Sequence, residues 1–104
     1  MKIITICGSL KAKVEIMKVA LKLSIDGNIV LTPIFPYNDE DINLTEEEIK
    51  KLGKIHKEKI KISDCIVVVN VNNYIGKSTE SEIEYAKSLN KEIIYYQDIK
   101  NILT

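Results

Sequence analysis

The chain has 104 residues, enough for one domain over 1–104 with a single core. Fifteen basic residues balance fifteen acidic ones, so no positive field marks a nucleic acid polymer or an anionic membrane as the partner. No apolar run approaches the roughly 18 residues of a membrane span, and MKIITICGS turns too early for a signal peptide, so a cytoplasmic protein is expected.

Residues 2–7, KIITIC, form a short apolar, β-rich run ended by Gly8 and Ser9. Leu10, Val14, Met17 and Leu21, with Ala20 and Ile25 alongside, then repeat at helical spacing until Asp26-Gly27 stops the helix. NIVL at 28–31 reads as a second strand, closed by Thr32-Pro33. The stretch 33–44 reads as loop, with two prolines and the acidic NDEDIN. Thr45 and Glu48 make a capping box, opening a helix that carries Ile49, Leu52, Ile55 and Ile60 to about Ile62. CIVVVN at 65–70 is the most strand-like segment. The loop 70–79 follows, then a helix to about Leu89, a strand EIIYY at 92–96 and a short helix near Asp98.

Strands thus alternate with helices, and the strands are continuously apolar, as burial on both faces requires. The pattern predicts an α/β fold in three layers with a four- to five-stranded parallel sheet. Ligands of such sheets bind beyond the carboxyl ends of the strands, at the topological switch point. Gly8-Ser9, the 32–44 loop and residues 70–79 should converge there.

The GKST of NVNNYIGKSTESEIEYA looks like the end of a P-loop. A P-loop needs a glycine five residues before its final Gly-Lys, to wrap a phosphate in backbone N–H groups. That position is Val71, so an NTPase loop is excluded. CGSL at 7–10 is no dinucleotide fingerprint either. Ser78, Thr79 and the backbone N–H groups of a helix start can hold an anion. Equally, Thr79-Glu80-Ser81-Glu82 can be a capping box. Glu82 shares a stripe with Ala86 and Leu89 that should face the sheet. It would then stand at the cleft, kept ionised by the helix N-terminus as a nucleophile needs.

His56, the sole histidine, falls on the Ile49–Leu52 face and has no obvious partner in sequence, which reads first as a half-buried structural group. Asp64 opens the third strand, at the end away from the cleft, where a helix–strand turn is the expected role. Cys7 and Cys65 sit in apolar runs without CxxC spacing, so free buried thiols are expected, with no metal and no cofactor.

Four pieces together resemble the nucleoside 2-deoxyribosyltransferase superfamily, in particular its small 2'-deoxynucleoside 5'-phosphate N-hydrolase branch. They are CGSL at 7–10, NIVLT at 28–32, SDCIVVVN at 63–70 and the E-x-x-x-A of EIEYA at 82–86. The resemblance implies a flavodoxin-like (Rossmann-like) fold and a homodimer. It implies cleavage or transfer of the N-glycosidic bond of a 2'-deoxynucleoside or its 5'-monophosphate, through a covalent intermediate on Glu82. By the same resemblance Asp64 matches an acidic catalytic position, Gly8 and Ser9 approach the ligand, and Ser78 binds the 5'-phosphate. Asn70 and Tyr74 of the loop are placed to hydrogen-bond or stack on a base, with Gly76 beside them. The chain departs from the pattern in three places. Glu84 stands where the family has a glycine, Thr5-Ile6 offer no aromatic before the Gly-Ser turn, and KEKIKIS lacks the extra acidic groups. The alternative is a nucleotide-binding or sensing module of the same fold without turnover.

Overall fold

A computed structural model describes residues 1–35 and 43–103, with side chains to residue 99. The acidic, Pro-containing part of the 33–44 loop, residues 36–42, lies outside the described residues, as do the side chains of Ile102 and Leu103. The elements in order are β1 (Ile3–Cys7), a 3-10 turn (Leu10–Ala12), α1 (Lys13–Ile25), β2 (Ile29–Leu31), α2 (Glu46–Ile62), β3 (Cys65–Val68), a second 3-10 turn (Val71–Asn73), α3 (Lys77–Ser88), β4 (Glu92–Tyr95) and α4 (Tyr96–Leu103).

Four parallel strands make one sheet in the order β2-β1-β3-β4. That order is flavodoxin-like, and it places the switch point between β1 and β3. Registers are Ile3 with Ile29, Ile4 with Cys65 and Cys65 with Glu92. Strand alternation then sorts the core into two clusters. Ile4 and Ile6 of β1, with Cys65 and Val67 of β3, face Ile16 and Val19 of α1. Cys7, Ile66 and Val68 face Ile60 of α2 and Ile83 and Ala86 of α3. Ile6, Ile16, Ile60 and Ile66 are fully enclosed, each worth about 1.5–3 kcal/mol of burial.

Local chemistry explains the ends. Thr45 Oγ1 accepts from Glu48 N, and Glu48 accepts from Thr45 N, so the expected capping box opens α2. Gly27 ends α1 at φ +98, a conformation that L side chains rarely adopt. Two expectations are corrected. The Thr79–Glu82 capping box does not form: α3 starts three residues earlier behind Gly76, and Thr79 is buried in its first turn. The inward stripe of α1 is not Val14, Met17 and Leu21, which are 63%, 56% and 63% exposed, but Ile16 and Val19, continuing from Ala12 at the end of the turn before it.

The fold also fixes how α2 meets the sheet. Thr5 is buried on the α2 side of β1, and its hydroxyl donates to the Lys59 carbonyl at 3.0 Å and meets Ser63 Oγ. Ser63 Oγ donates to the same carbonyl at 2.7 Å. Lys59 Nζ reaches back to the Thr32 carbonyl at 2.8 Å. These bonds pin the last turns of α2, and so the azimuth at which His56 enters.

Candidate active site

Glu82 sits one and a half turns into α3, beside the buried Thr79–Ile83–Ala86 stripe rather than within it. Leu89, expected on its stripe, is 36% exposed instead. The Glu82 side chain is 15% exposed and lies against His56, which is 7% exposed. His56 Nε2 is 3.8 Å from Glu82 Oε1 and 3.6 Å from Cys7 Sγ. The end of β1, the middle of α2 and the first turns of α3 thus converge on one point at the carboxyl edge of the sheet.

A cavity of about 200 Å³ opens there. It is lined by Leu10 after β1, Pro33 and Ile34 after β2, the Leu52–His56 face of α2, and Ser78 and Glu82 of α3. A second hollow of about 300 Å³ adjoins it at Gly53, Ser78 and Glu82, with Lys50, Lys54 and Lys57 on its wall. Glu82 is the single carboxylate on either wall among the described residues. The lysines and Ser78, which precedes the first intrahelical bond of α3, Glu80 N to Gly76 O at 2.9 Å, favour anionic ligands on that side.

Burial dominates the electrostatics. Desolvation raises the Glu82 carboxyl from 4.5 to about 7, against the smaller pull of Cys7 and Lys57. The expectation of a fully ionised Glu82 is therefore corrected: near neutrality it is close to half protonated. Desolvation, helped by Lys59, lowers His56 from 6.5 to about 4, so the ring is neutral. Burial and then the Glu82 charge push the Cys7 thiol well up. His56 Nδ1 is buried and has no hydrogen-bond partner among the described residues.

The cluster is no thiol triad. Cys7 and Glu82 both approach Nε2, so the ring cannot relay a proton between them, and Cys7 is fully enclosed. Its three donor atoms lie within 4.8 Å of one another, which suits a shared cation or a shared proton.

The other expected residues fall around the site rather than in it. Gly8 packs: a Cβ there would stand 3.0 Å from Ile16 Cδ1 and 3.3 Å from the Val69 carbonyl. Ser9 caps the Leu10–Ala12 turn. Asn70 is buried and accepts from Gln97 N at 3.1 Å, tying α4 to the end of β3. Tyr74 is 50% exposed, with Lys11 Nζ over its ring at 5.1 Å. Gly76 is the residue before α3. Asp64 lies at the far end of β3, where its carboxylate accepts from Ile3 N at 2.7 Å. The structure does not bring it to Glu82.

The sequence reads Cys7 and Cys65 as free buried thiols, and both are, but it does not bring Cys7 to the site and sets His56 aside as structural. The available signal was indirect: a polar ring on the stripe that carries Leu52 and Ile60, facing strand ends where a site was already expected. Among the described residues no helix is long and apolar enough to cross a membrane. No protein-family model matches the chain, and no curated protein matches it.

Proposed function

We propose that the protein cleaves or transfers the N-glycosidic bond of a 2'-deoxynucleoside or its 5'-monophosphate, with Glu82 as nucleophile. The observation that carries this reading is Glu82, the one carboxylate among the described residues on the wall of a cavity at the switch point of a flavodoxin-like sheet. Glu82 Oε attacks the anomeric carbon. The base leaves with the electron pair of the C–N bond, and water or a second base then takes the sugar from Glu82. The transition state is oxocarbenium-like, and an adjacent carboxylate stabilises it. The neutral His56 ring packs beside the carboxyl, Nε2 3.8 Å from Oε1, without neutralising it. The hollow walled by Lys50, Lys54, Lys57 and Ser78 suits a 5'-phosphate. The cavity and hollow together reach the size of a small-molecule site.

Only the ionised Glu82 attacks. Base release should therefore rise with pH through about 7, the value burial gives this carboxyl. The test is incubation with the four 2'-deoxynucleoside 5'-monophosphates and the nucleosides, with and without a free acceptor base, and chromatography of the released base. Release by the wild type and none by Glu82→Gln supports the reading. No release by folded wild-type protein sinks it and favours the alternative, a module of the same fold that binds a nucleotide without turnover.

A homodimer belongs to the same reading. Val14, Met17, Leu21 and Ile25 leave an apolar stripe along α1, each more than half exposed. Such a stripe on a surface helix is the kind of face a second copy covers.

A further inference from the structure

We propose that Cys7 Sγ, His56 Nε2 and Glu82 Oε1 form a three-ligand site for a borderline-soft divalent cation of the zinc class. The first ground is distance. Tetrahedral zinc with thiolate, imidazole and carboxylate ligands needs about 3.6 Å between sulfur and nitrogen and about 3.4 Å between nitrogen and oxygen. The structure holds them at 3.6 Å and 3.8 Å, with all three donor atoms within 4.8 Å. Two of the three donor pairs are thus close to the separations such an ion needs, and the third lies within 4.8 Å.

The second ground is rigidity. The donors come from β1, α2 and α3, elements locked by the two core clusters and by the Thr5–Lys59–Ser63 bonds. A preformed site costs little ordering on binding. The third ground is charge and softness. Thiolate and carboxylate together balance a divalent charge inside a pocket where neither has a salt-bridging lysine or arginine within 4.0 Å among the described residues. A thiolate disfavours magnesium and calcium, which take oxygen ligands.

The fourth ground is His56 itself. A ring metallated at Nε2 carries its proton on Nδ1, the nitrogen buried without a partner. His56 and Glu82 face the cavity whereas Cys7 does not. The fourth coordination position therefore opens to the cavity, as it does in sites that bind a water or a ligand anion.

The site stands apart from the glycosidic reading, and an ion here opposes that reading by taking the Glu82 oxygen that would attack. The experiment uses chelator-stripped protein, shown to be folded by circular dichroism, titrated with cobalt(II) under anaerobic conditions. One equivalent of cobalt should produce a thiolate-to-cobalt charge-transfer band and the strong visible bands of a tetrahedral site. Zinc should displace it, and magnesium should not. Cys7→Ser should lose the charge-transfer band, Cys65→Ser should keep it, and His56→Gln or Glu82→Gln should weaken binding at least about tenfold. No charge-transfer band up to a roughly tenfold excess of cobalt overturns the proposal. So does a band that survives in Cys7→Ser. The spectra do not depend on turnover, and base release is measured on stripped protein, so failure of one reading leaves the other tested.

Discussion

Replacing His56 by Gln should make stability depend steeply on pH where the wild type hardly responds. Unfolded, His56 titrates at 6.5 and Glu82 at 4.5; folded, desolvation moves them to about 4 and about 7. Between pH 4.5 and 6.5 the unfolded chain holds one proton, on histidine, and the folded chain holds one, on Glu82. Equal proton counts mean a flat stability profile from this pair. In His56→Gln only Glu82 remains. Its folded pKa is raised, so its contribution is fully present below 4.5 and lost as pH rises through about 7. The shift of 4.5 to about 7, at about 1.4 kcal/mol per unit, is a loss of about 3 kcal/mol across that window. Glu82→Gln unmasks the opposite case. His56 is lowered, so its stability is present above 6.5 and lost as pH falls through about 4. The charged neighbours Lys57 and Lys59 remain in both variants and bias the midpoints without changing either sign. Urea unfolding of chelator-treated protein at a series of pH values, followed by circular dichroism, measures this directly. A flat profile for His56→Gln would refute the reasoning, because Glu82 would then be ionised in the folded chain and its desolvation of no consequence.

Asp64→Ala removes the acceptor of Ile3 N and should cost about 1 kcal/mol in urea unfolding, leaving base release unchanged; a loss of turnover in stable protein would return Asp64 to the chemistry. Gly8→Ala forces a methyl to within 3.0 Å of Ile16 Cδ1, which should destabilise by about 1–3 kcal/mol; an unchanged denaturation midpoint would show that Ile16 turns aside freely. Leu21→Lys, at a position 63% exposed on α1, should convert a sedimenting dimer to a monomer without loss of helix. A wild type that already sediments as a monomer would remove α1 from any interface.

Sheet topology was legible because each strand is a short apolar run between clear stops, and four such runs alternating with helices leave few arrangements. From that topology the place of the cavity followed, and Glu82 and Ser78 line it. Cys7 and His56 were not legible as partners. They are 49 residues apart, and only the turn of α2 fixed by Thr5, Lys59 and Ser63 brings the ring onto the end of β1. Asp64, Asn70 and Gly8 are residue types suited to a site, yet each joins or packs elements of the fold.

Two misreadings have physical causes that spacing alone does not resolve. Helix α1 is apolar nearly all round, so periodicity offers two stripes. Val14, Met17 and Leu21 fit the pattern as well as Ala12, Ile16 and Val19, and the choice is made by the sheet, where Ile4, Ile6 and the space left by Gly8 receive Ile16. Among the described residues the surplus stripe stays exposed, and the dimer proposed above would cover it. For Glu82 the competition was between a helix N-terminus and burial. The helix end favours the carboxylate by at most about 1–2 kcal/mol and fades within a turn. Moving the group from 4.5 to about 7 requires about 3 kcal/mol in the other direction. Burial wins because Glu82 lies past the first turn of α3 and is closed in by α2, against a ring that has no charge to lend. A carboxyl so placed changes protonation near neutral pH, so the proposed attack on a sugar and the proposed cation binding should both strengthen as pH rises through about 7.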